Sequence, residues 1–123
     1  ARSSNLADKY AVSDVVLNRV LDSRYPNTVC EVIKQGPVAN NGHPKLHKCQ
    51  FSWWCDGKSD IPKPGDAWIE AQTIAFNLYN FANYRGITEG STHYHANYIS
   101  SPVWVKELQL VGRIGSHIYY RWE

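Results

Sequence analysis

Two short segments combine aromatic rings with amide, hydroxyl and imidazole groups. They are Gln50–Trp54, with the sequence QFSWW, and His93–Tyr98, with the sequence HYHANY. Aromatic planes stack on the C–H faces of sugar rings, while a few placed polar groups bond the ring substituents. The same composition also suits the polar edge of a hydrophobic core. These segments therefore predict either a carbohydrate-binding surface or a core edge, and composition alone does not separate the two.

A metal site is the second chemistry that the residue types allow. His43, His47, Cys49 and Cys55 lie within thirteen residues, and zinc binds neutral imidazole and thiolate in a tetrahedral shell. Their spacing matches no common zinc finger or knuckle, so solvated histidines and a disulfide are the favoured interpretation. With Cys30 the cysteines number three, which fits one disulfide plus a free thiol, or no disulfide at all.

General acids are the third candidate chemistry. Glu31 follows Thr28 by three residues, as in a capping box, and so has a structural role. Glu89 precedes Ser91 and Thr92 in a turn-like stretch, where a carboxylate could face a substrate. A solvated turn carboxylate is the more frequent case, and the local sequence does not make Glu89 a catalytic residue.

Composition excludes several classes of protein. The chain has 123 residues, a formal net charge of +2, 43% hydrophobic residues and 13% aromatic residues. A charge this small, without a long Lys/Arg run, argues against a nucleic-acid partner. The hydrophobic content is enough for a core, and no apolar run reaches the roughly 18 residues that suggest a membrane helix. We expect one domain spanning residues 1–123.

Hydrophobic periodicity predicts helices in the first two thirds of the chain. Leu6–Ser23 has helical spacing, begins after Asn5, and places Asp14 and Asn18 opposite its apolar stripe. A short helix over Val29–Gln35 and a long one capped by Asp66 follow. In the long helix the predicted apolar stripe is formed by Trp68, Ala71, Ile74, Ala75, Leu78 and Ala82.

The last third of the chain changes pattern. Gly86 and Gly90 bracket a predicted turn, and from Ser91 onward alternation with short breaks predicts extended segments or a small hairpin. The expected fold class is therefore α+β and helix-rich.

Six stretches in register give the chain a resemblance to a known family. They read AVSDVVLNRV (11–20), YPNTVCEVIKQ (25–35), CQFSW (49–53), AW with two spaced alanines (from 67), GSTHYHA (90–96) and RIGSHIYY (113–120). In this order they resemble the SleB-type cell wall hydrolases, a family with spore-cortex-lytic and phage-borne members. The resemblance runs from Ala1 to about Tyr120. It implies a compact lysozyme-like, lytic-transglycosylase-like domain that cleaves peptidoglycan.

The resemblance also implies where the catalytic acid stands. The family carries its catalytic glutamate in a Glu-Ala-Arg motif, and Ala1-Arg2 matches the last two residues of that motif. The expected glutamate therefore lies immediately before Ala1, outside this sequence, and the domain is expected to be trimmed just after it. Ser4 replaces a second glutamate that is common in the family.

From the resemblance and from side-chain chemistry we predict the residues of a substrate groove. Arg2 positions the acid or bonds a substrate oxygen, while Thr92, His93 and Tyr94 form the wall opposite Gln50, Ser52 and Trp53. A packing histidine is the alternative for His93. No cofactor and no metal are expected.

The predicted reaction is cleavage between N-acetylmuramic acid and N-acetylglucosamine by a single glutamic acid. The lack of an evident second carboxylate favours a lytic transglycosylase over a muramidase. The alternatives are a non-catalytic peptidoglycan-binding module and, more distantly, a zinc-dependent hydrolase. The expected protein is a monomer that acts at the cell wall, on the periplasmic or extracellular side, and could be phage-encoded. Its partners are glycan strands, with no nucleic acid and no membrane span.

Overall fold

The computed structural model describes residues 5–36, 49–51, 54, 56–59 and 61–123. The helices are α1 (Leu6–Leu21), α2 (Val29–Ile33) and α3 (Asp66–Phe81), the strands are β1 (His93–Ala96), β2 (Gln109–Ile114) and β3 (His117–Arg121), and a short 3₁₀ helix covers Val103–Glu107. The strands form one antiparallel sheet in the order β1-β3-β2. The predicted α+β class is confirmed. No helix in the described part of the chain is long and apolar enough to cross a membrane.

Helix α1 begins where the sequence predicts. The side chain of Asn5 accepts a hydrogen bond from the Asp8 amide at 3.1 Å and so caps the helix. The helix ends at Leu21, two residues before the predicted end. Asp22 is extended, and its carboxylate accepts from the Arg24 amide at 2.9 Å, which starts a turn instead of another helical residue.

Helix α1 is the centre of the core, because three of its stripes are buried against different partners. Tyr10 packs on Ile74 and Leu78 of α3. Ala11 and Val15 pack on Tyr119 of the sheet and form a second buried cluster. Val16 packs on Val32 of α2 and on Phe51 and forms a third. The helix therefore determines where the sheet, α2 and the Phe51 segment lie.

The two other helices differ from prediction in detail. Thr28 caps α2 by accepting from the Glu31 amide at 3.2 Å, as predicted, but α2 ends at Ile33 rather than Gln35. Asp66 is the first residue of α3 and not its cap, a position held by Gly65. Of the predicted stripe on α3, Ile74 and Leu78 are buried, while Trp68 is 40% exposed.

The predicted Gly86–Gly90 turn is held by the polar residues of α1. Asp14 is fully buried, and its carboxylate accepts from the amides of Gly86 and Thr88, both at 3.1 Å. Asp14 also pairs with the Arg85 guanidinium, and Asn18 donates to the Ser91 carbonyl at 2.9 Å. The polar side of α1 was predicted to lie opposite the apolar stripe; it does, but it faces this turn and not water.

Candidate functional site

The inner face of the sheet, which packs on α1, carries Tyr94, His117 and Tyr119. Tyr94 lies opposite Tyr119 in the β1–β3 pairing, and their rings stack with centroids 5.8 Å apart. The Tyr94 and His117 rings meet edge to face at 5.2 Å. Strand alternation brings these three side chains to one face, because residues two apart point the same way.

Tyr94 stays protonated over the physiological pH range. Burial raises the pKa of its phenol to about 12; nearby Arg19 opposes that rise and Asp8 adds to it. The ring also contacts Phe51, with centroids 6.4 Å apart. Tyr94 therefore offers a neutral hydroxyl near the Gln50–Phe51 segment, which was predicted to form the other side of the groove.

Asp8 is a fully buried carboxylate at the hairpin between β2 and β3. Its Oδ2 accepts from the Ser116 amide at 2.9 Å and from the Ser116 hydroxyl at 2.6 Å. Its Oδ1 lies 2.8 Å from His117 Nδ1 and 3.5 Å from the Tyr119 hydroxyl. Burial, followed by the nearby Asp8 charge, raises the pKa of Tyr119 well above its usual range.

Arg19 places a buried cation behind Tyr94. Its Nε donates to the Thr92 carbonyl at 2.7 Å, and its guanidinium lies over the rings of Tyr25 and Phe51, 4.9 and 5.2 Å from their centroids. Burial lowers the pKa of Arg19, but a guanidinium remains charged in proteins. Its Nη1 is buried and has no hydrogen-bond partner among the described residues.

The predicted groove residues do not all meet. Thr92 is buried, and its hydroxyl accepts from the Trp122 amide at 3.0 Å and bonds His93 Nδ1 at 2.9 Å. The ring of His93 contacts Trp104 at 5.3 Å and Trp122 at 6.5 Å, on the outer face of the sheet. His93 and Tyr94 therefore lie on opposite faces of the sheet, so the predicted wall is divided between them.

The electrostatics of His93 fit a packed, uncharged ring. Burial, with smaller contributions from the positive charges of Arg19 and Arg24, lowers its pKa to about 4. The imidazole is therefore neutral at pH 7. This agrees with the alternative of a packing histidine, and any role of His93 toward sugar stays a prediction.

On the other predicted wall, Gln50 is exposed. Its backbone N–H donates to the backbone carbonyl of Gln35 at 3.1 Å. Phe51, next in sequence, is buried. Arg2, Ser52 and Trp53 lie outside the described residues, so their predicted positions stay predictions. Glu89 is an exposed turn residue at φ +52°, and its carbonyl accepts from Arg121.

The predicted zinc ligands are only partly described. Cys49 is disulfide-bonded, which removes it as a thiolate ligand, and Cys30 is a free, exposed cysteine. Cys30 lies on α2, in which only Val32 is buried. Within the described ranges no group of three His, Cys, Asp or Glu side chains could hold a metal ion. His43, His47 and Cys55 lie outside those ranges.

Sequence reasoning missed Asp8, Arg19 and His117. Asp8 lies three residues after Asn5, at the predicted helix start, and His117 lies in one of the matching stretches; neither was predicted to be a site residue. A signal was present: Asp8, Ala11 and Val15 share one helical stripe, so an acidic residue was placed in line with core positions. A charged residue in an apolar stripe is rare without a partner.

Comparison with known proteins defines the family. A family model described as Cell Wall Hydrolase matches residues 3–120. This chain belongs to the cell wall hydrolase family. The SleB-type resemblance is confirmed with it, and so is the coarse expectation of an enzyme class that cleaves the cell wall.

Two solved structures share the fold of this cell wall hydrolase. One is the catalytic domain of the germination-specific lytic transglycosylase SleB from Bacillus anthracis, with a TM-score of 0.66, 22% identity, and coverage of 98% of this chain and 84% of that one. The other is the catalytic domain of the Bacillus cereus SleB protein, with a TM-score of 0.59, 18% identity, and coverage of 98% and 80%. A comparison with curated protein sequences gave no match. The lysozyme-like SleB fold is thereby confirmed.

Proposed function

We propose that this cell wall hydrolase cleaves glycan strands of peptidoglycan between N-acetylmuramic acid and N-acetylglucosamine. The observation that carries the proposal is the family match over residues 3–120 together with the SleB catalytic-domain fold over 98% of the chain. The relative with the higher TM-score is named a lytic transglycosylase, which supports that reaction class for this protein.

The proposed acid is the glutamate expected immediately before Ala1. A carboxyl group held in a partly apolar cleft stays protonated to higher pH, because burial disfavours the anion. It then gives its proton to the glycosidic oxygen as the bond to C1 breaks, a contribution worth about 10²–10⁴ in rate. No second carboxylate is assigned to a paired mechanism, so the muramic acid 6-hydroxyl closes on C1 and leaves an anhydro end.

Tyr94 and Gln50 are the described residues proposed to contact substrate. Tyr94 contributes a neutral hydroxyl. Gln50 is exposed and contributes its side-chain amide; the next residue, Phe51, contacts the Tyr94 ring. Arg2, Ser52 and Trp53 are proposed to complete the groove, while Thr92 supports β1 through its bonds to Arg19 and Trp122.

The test is mass spectrometry of fragments released from purified peptidoglycan by the protein lengthened upstream past the expected glutamate. Anhydro-muramoyl ends establish a lytic transglycosylase, and reducing muramic acid ends establish a muramidase. The matched control replaces that glutamate with glutamine in the same lengthened protein, which is expected to release nothing. A folded, lengthened protein that binds the polymer but releases no fragment would overturn the proposal in favour of a binding module.

A further inference from the structure

Asp8 and His117 form a buried pair whose proton positions follow from their partners. Oδ2 of Asp8 accepts two hydrogen bonds from Ser116, and Oδ1 lies 2.8 Å from His117 Nδ1. The side chain of Asp8 has no exposed surface, while that of His117 is 18% exposed. An ionised carboxylate only accepts hydrogen bonds, so Nδ1 is the ring nitrogen that donates a proton to Asp8.

The other ring nitrogen of His117 is therefore an open acceptor. In the described part of the chain no group bonds Nε2, and the His117 side chain is partly exposed. A carboxylate that fixes Nδ1–H and leaves Nε2 unprotonated is the arrangement by which an imidazole is oriented as a general base.

The described residues around His117 bring no charge that competes with the Asp8 carboxylate. The groups that face it are Asp8 from α1, Tyr94 from β1, and Ser116 and Tyr119 from the β2–β3 hairpin. The tyrosines are neutral and the Ser116 hydroxyl does not ionise, so the Asp8 carboxylate is the one charge among them. The Tyr94 ring, which belongs to the proposed groove, is nearly perpendicular to the imidazole, and the two ring centroids are 5.2 Å apart.

We infer that His117, oriented by Asp8, is the group that accepts the proton of the attacking hydroxyl. The inference rests on the proposed function and deepens it, since it gives the incoming oxygen a base separate from the glutamic acid. Asp8 acts as a positioning residue, because it acts on the reaction through His117.

The protons balance in this scheme. The glutamic acid gives its proton to the glycosidic oxygen as the C1–O bond breaks, and the incoming oxygen forms its bond to C1 and loses its proton to Nε2. The imidazolium then returns that proton through water to the glutamate, which restores both groups. The incoming oxygen is the muramic acid 6-hydroxyl in a transglycosylase and water in a muramidase.

The first test is His117→Asn in the protein lengthened upstream. The asparagine amide takes the place of Nδ1 and keeps a donor for Asp8, but it lacks Nε2. We expect kcat to fall by at least about 10²-fold with KM changed by less than about twofold. His95→Asn is the matched control: His95 is a buried histidine of the same sheet, bonded to the Tyr120 hydroxyl at 2.8 Å on the outer face. Its kcat is expected to stay within about threefold.

The second test is Asp8→Asn, read by NMR and by kinetics. The Ser116 amide can only donate, so the asparagine oxygen must face it, and the amide nitrogen then donates to His117 Nδ1. The imidazole proton then lies on Nε2, so Nε2 can no longer accept a proton from the incoming hydroxyl. We expect ¹⁵N shifts to report an Nδ1–H tautomer in the parent protein and an Nε2–H tautomer in the variant, with a loss of kcat similar to that of His117→Asn.

The outcomes separate this inference from the proposed function. If the parent releases fragments and His117→Asn keeps its kcat while folded, the inference is overturned and the proposed function stands. An Nε2–H tautomer in the parent overturns it as well, without any assay of activity. If the folded parent releases nothing, the proposed function fails, and the base assignment fails with it.

Discussion

Three consecutive residues, Thr92, His93 and Tyr94, have three different surroundings. The Thr92 hydroxyl joins β1 to the end of β3 through the Trp122 amide, His93 packs among tryptophans on the outer face, and Tyr94 turns inward toward His117. Strand alternation forces the last two apart. Substitutions at these neighbours should therefore affect different properties of the protein.

Tyr94→Phe tests the inner-face assignment. The substitution removes a hydroxyl and keeps the ring contacts with Phe51, His117 and Tyr119, so the free energy of unfolding should fall by no more than about 1 kcal/mol. We expect kcat/KM on peptidoglycan to fall by about tenfold or more. Urea unfolding and turnover measured on the same preparation check this.

Tyr79→Phe is the control for that experiment, because Tyr79 is 88% exposed on α3 and should change neither property. If Tyr94→Phe instead lowers the free energy of unfolding by as much as the loss of kcat/KM corresponds to, Tyr94 belongs to the core and not to the groove.

His93 should remain uncharged well into the acid range. Its folded pKa is about 4 and the unfolded value is about 6.5, so folding favours the neutral ring. This contribution is fully present above pH 6.5 and is lost as pH falls toward 4. After discounting for partial exposure, we expect about 1 kcal/mol from it. Titration of the His93 ring protons by NMR checks the midpoint, and one near 6.5 would contradict the packed ring.

At the scale of elements, α1 organises the fold with polar as well as apolar side chains. Its apolar stripes hold α3, the sheet and α2, while Asp14 and Asn18 hold the turn that leads into β1. Sequence periodicity located the apolar stripe and the helix start correctly. It could not show that the polar side is covered, because the covering turn is more than sixty residues away in the chain.

Asp14→Ala tests how much the contacts of Asp14 stabilise that turn. Removing the carboxylate leaves the Gly86 and Thr88 amides without their acceptor and Arg85 without its partner, so we expect a loss of about 3 kcal/mol. Asp22→Ala is the control: it also removes an Asp–Arg pair, with Arg24, but at a more exposed position, and should cost less than about 1 kcal/mol. If the two variants lose the same free energy of unfolding in urea, the buried contacts of Asp14 stabilise the fold no more than the exposed pair does.

For the whole molecule, the family and fold class were predictable from the sequence, whereas the composition of the site was only partly so. Motifs in register and periodicity are properties of the chain itself, and they gave three helices and the terminal hairpin. The Asp8–His117 pair joins residues 109 positions apart. The sequence around each residue does not distinguish it from a solvated aspartate or histidine. The two residues become a pair because α1 packs on the hairpin.

The state of the cysteines also required the structure, since a count of three allowed two answers. Cys49 is disulfide-bonded and Cys30 is free and exposed. We expect an alkylating reagent to modify Cys30 in the native, unreduced protein and Cys49 only after reduction. Peptide mapping by mass spectrometry checks this, and modification of Cys49 without reductant would contradict it.

The hairpin turn at Gly115 has a consequence for how related sequences can differ. Gly115 has φ +56°, and a Cβ there would stand 2.7 Å from the Asp8 carboxylate. Two constraints therefore limit which residue can stand at position 115. The positive φ favours glycine or asparagine, and the nearby Asp8 carboxylate leaves no room for any side chain. In homologues where a smaller residue replaces Asp8, the second constraint disappears and asparagine becomes acceptable at 115. Positions 8 and 115 should therefore covary across the family, although they lie 107 positions apart in the chain.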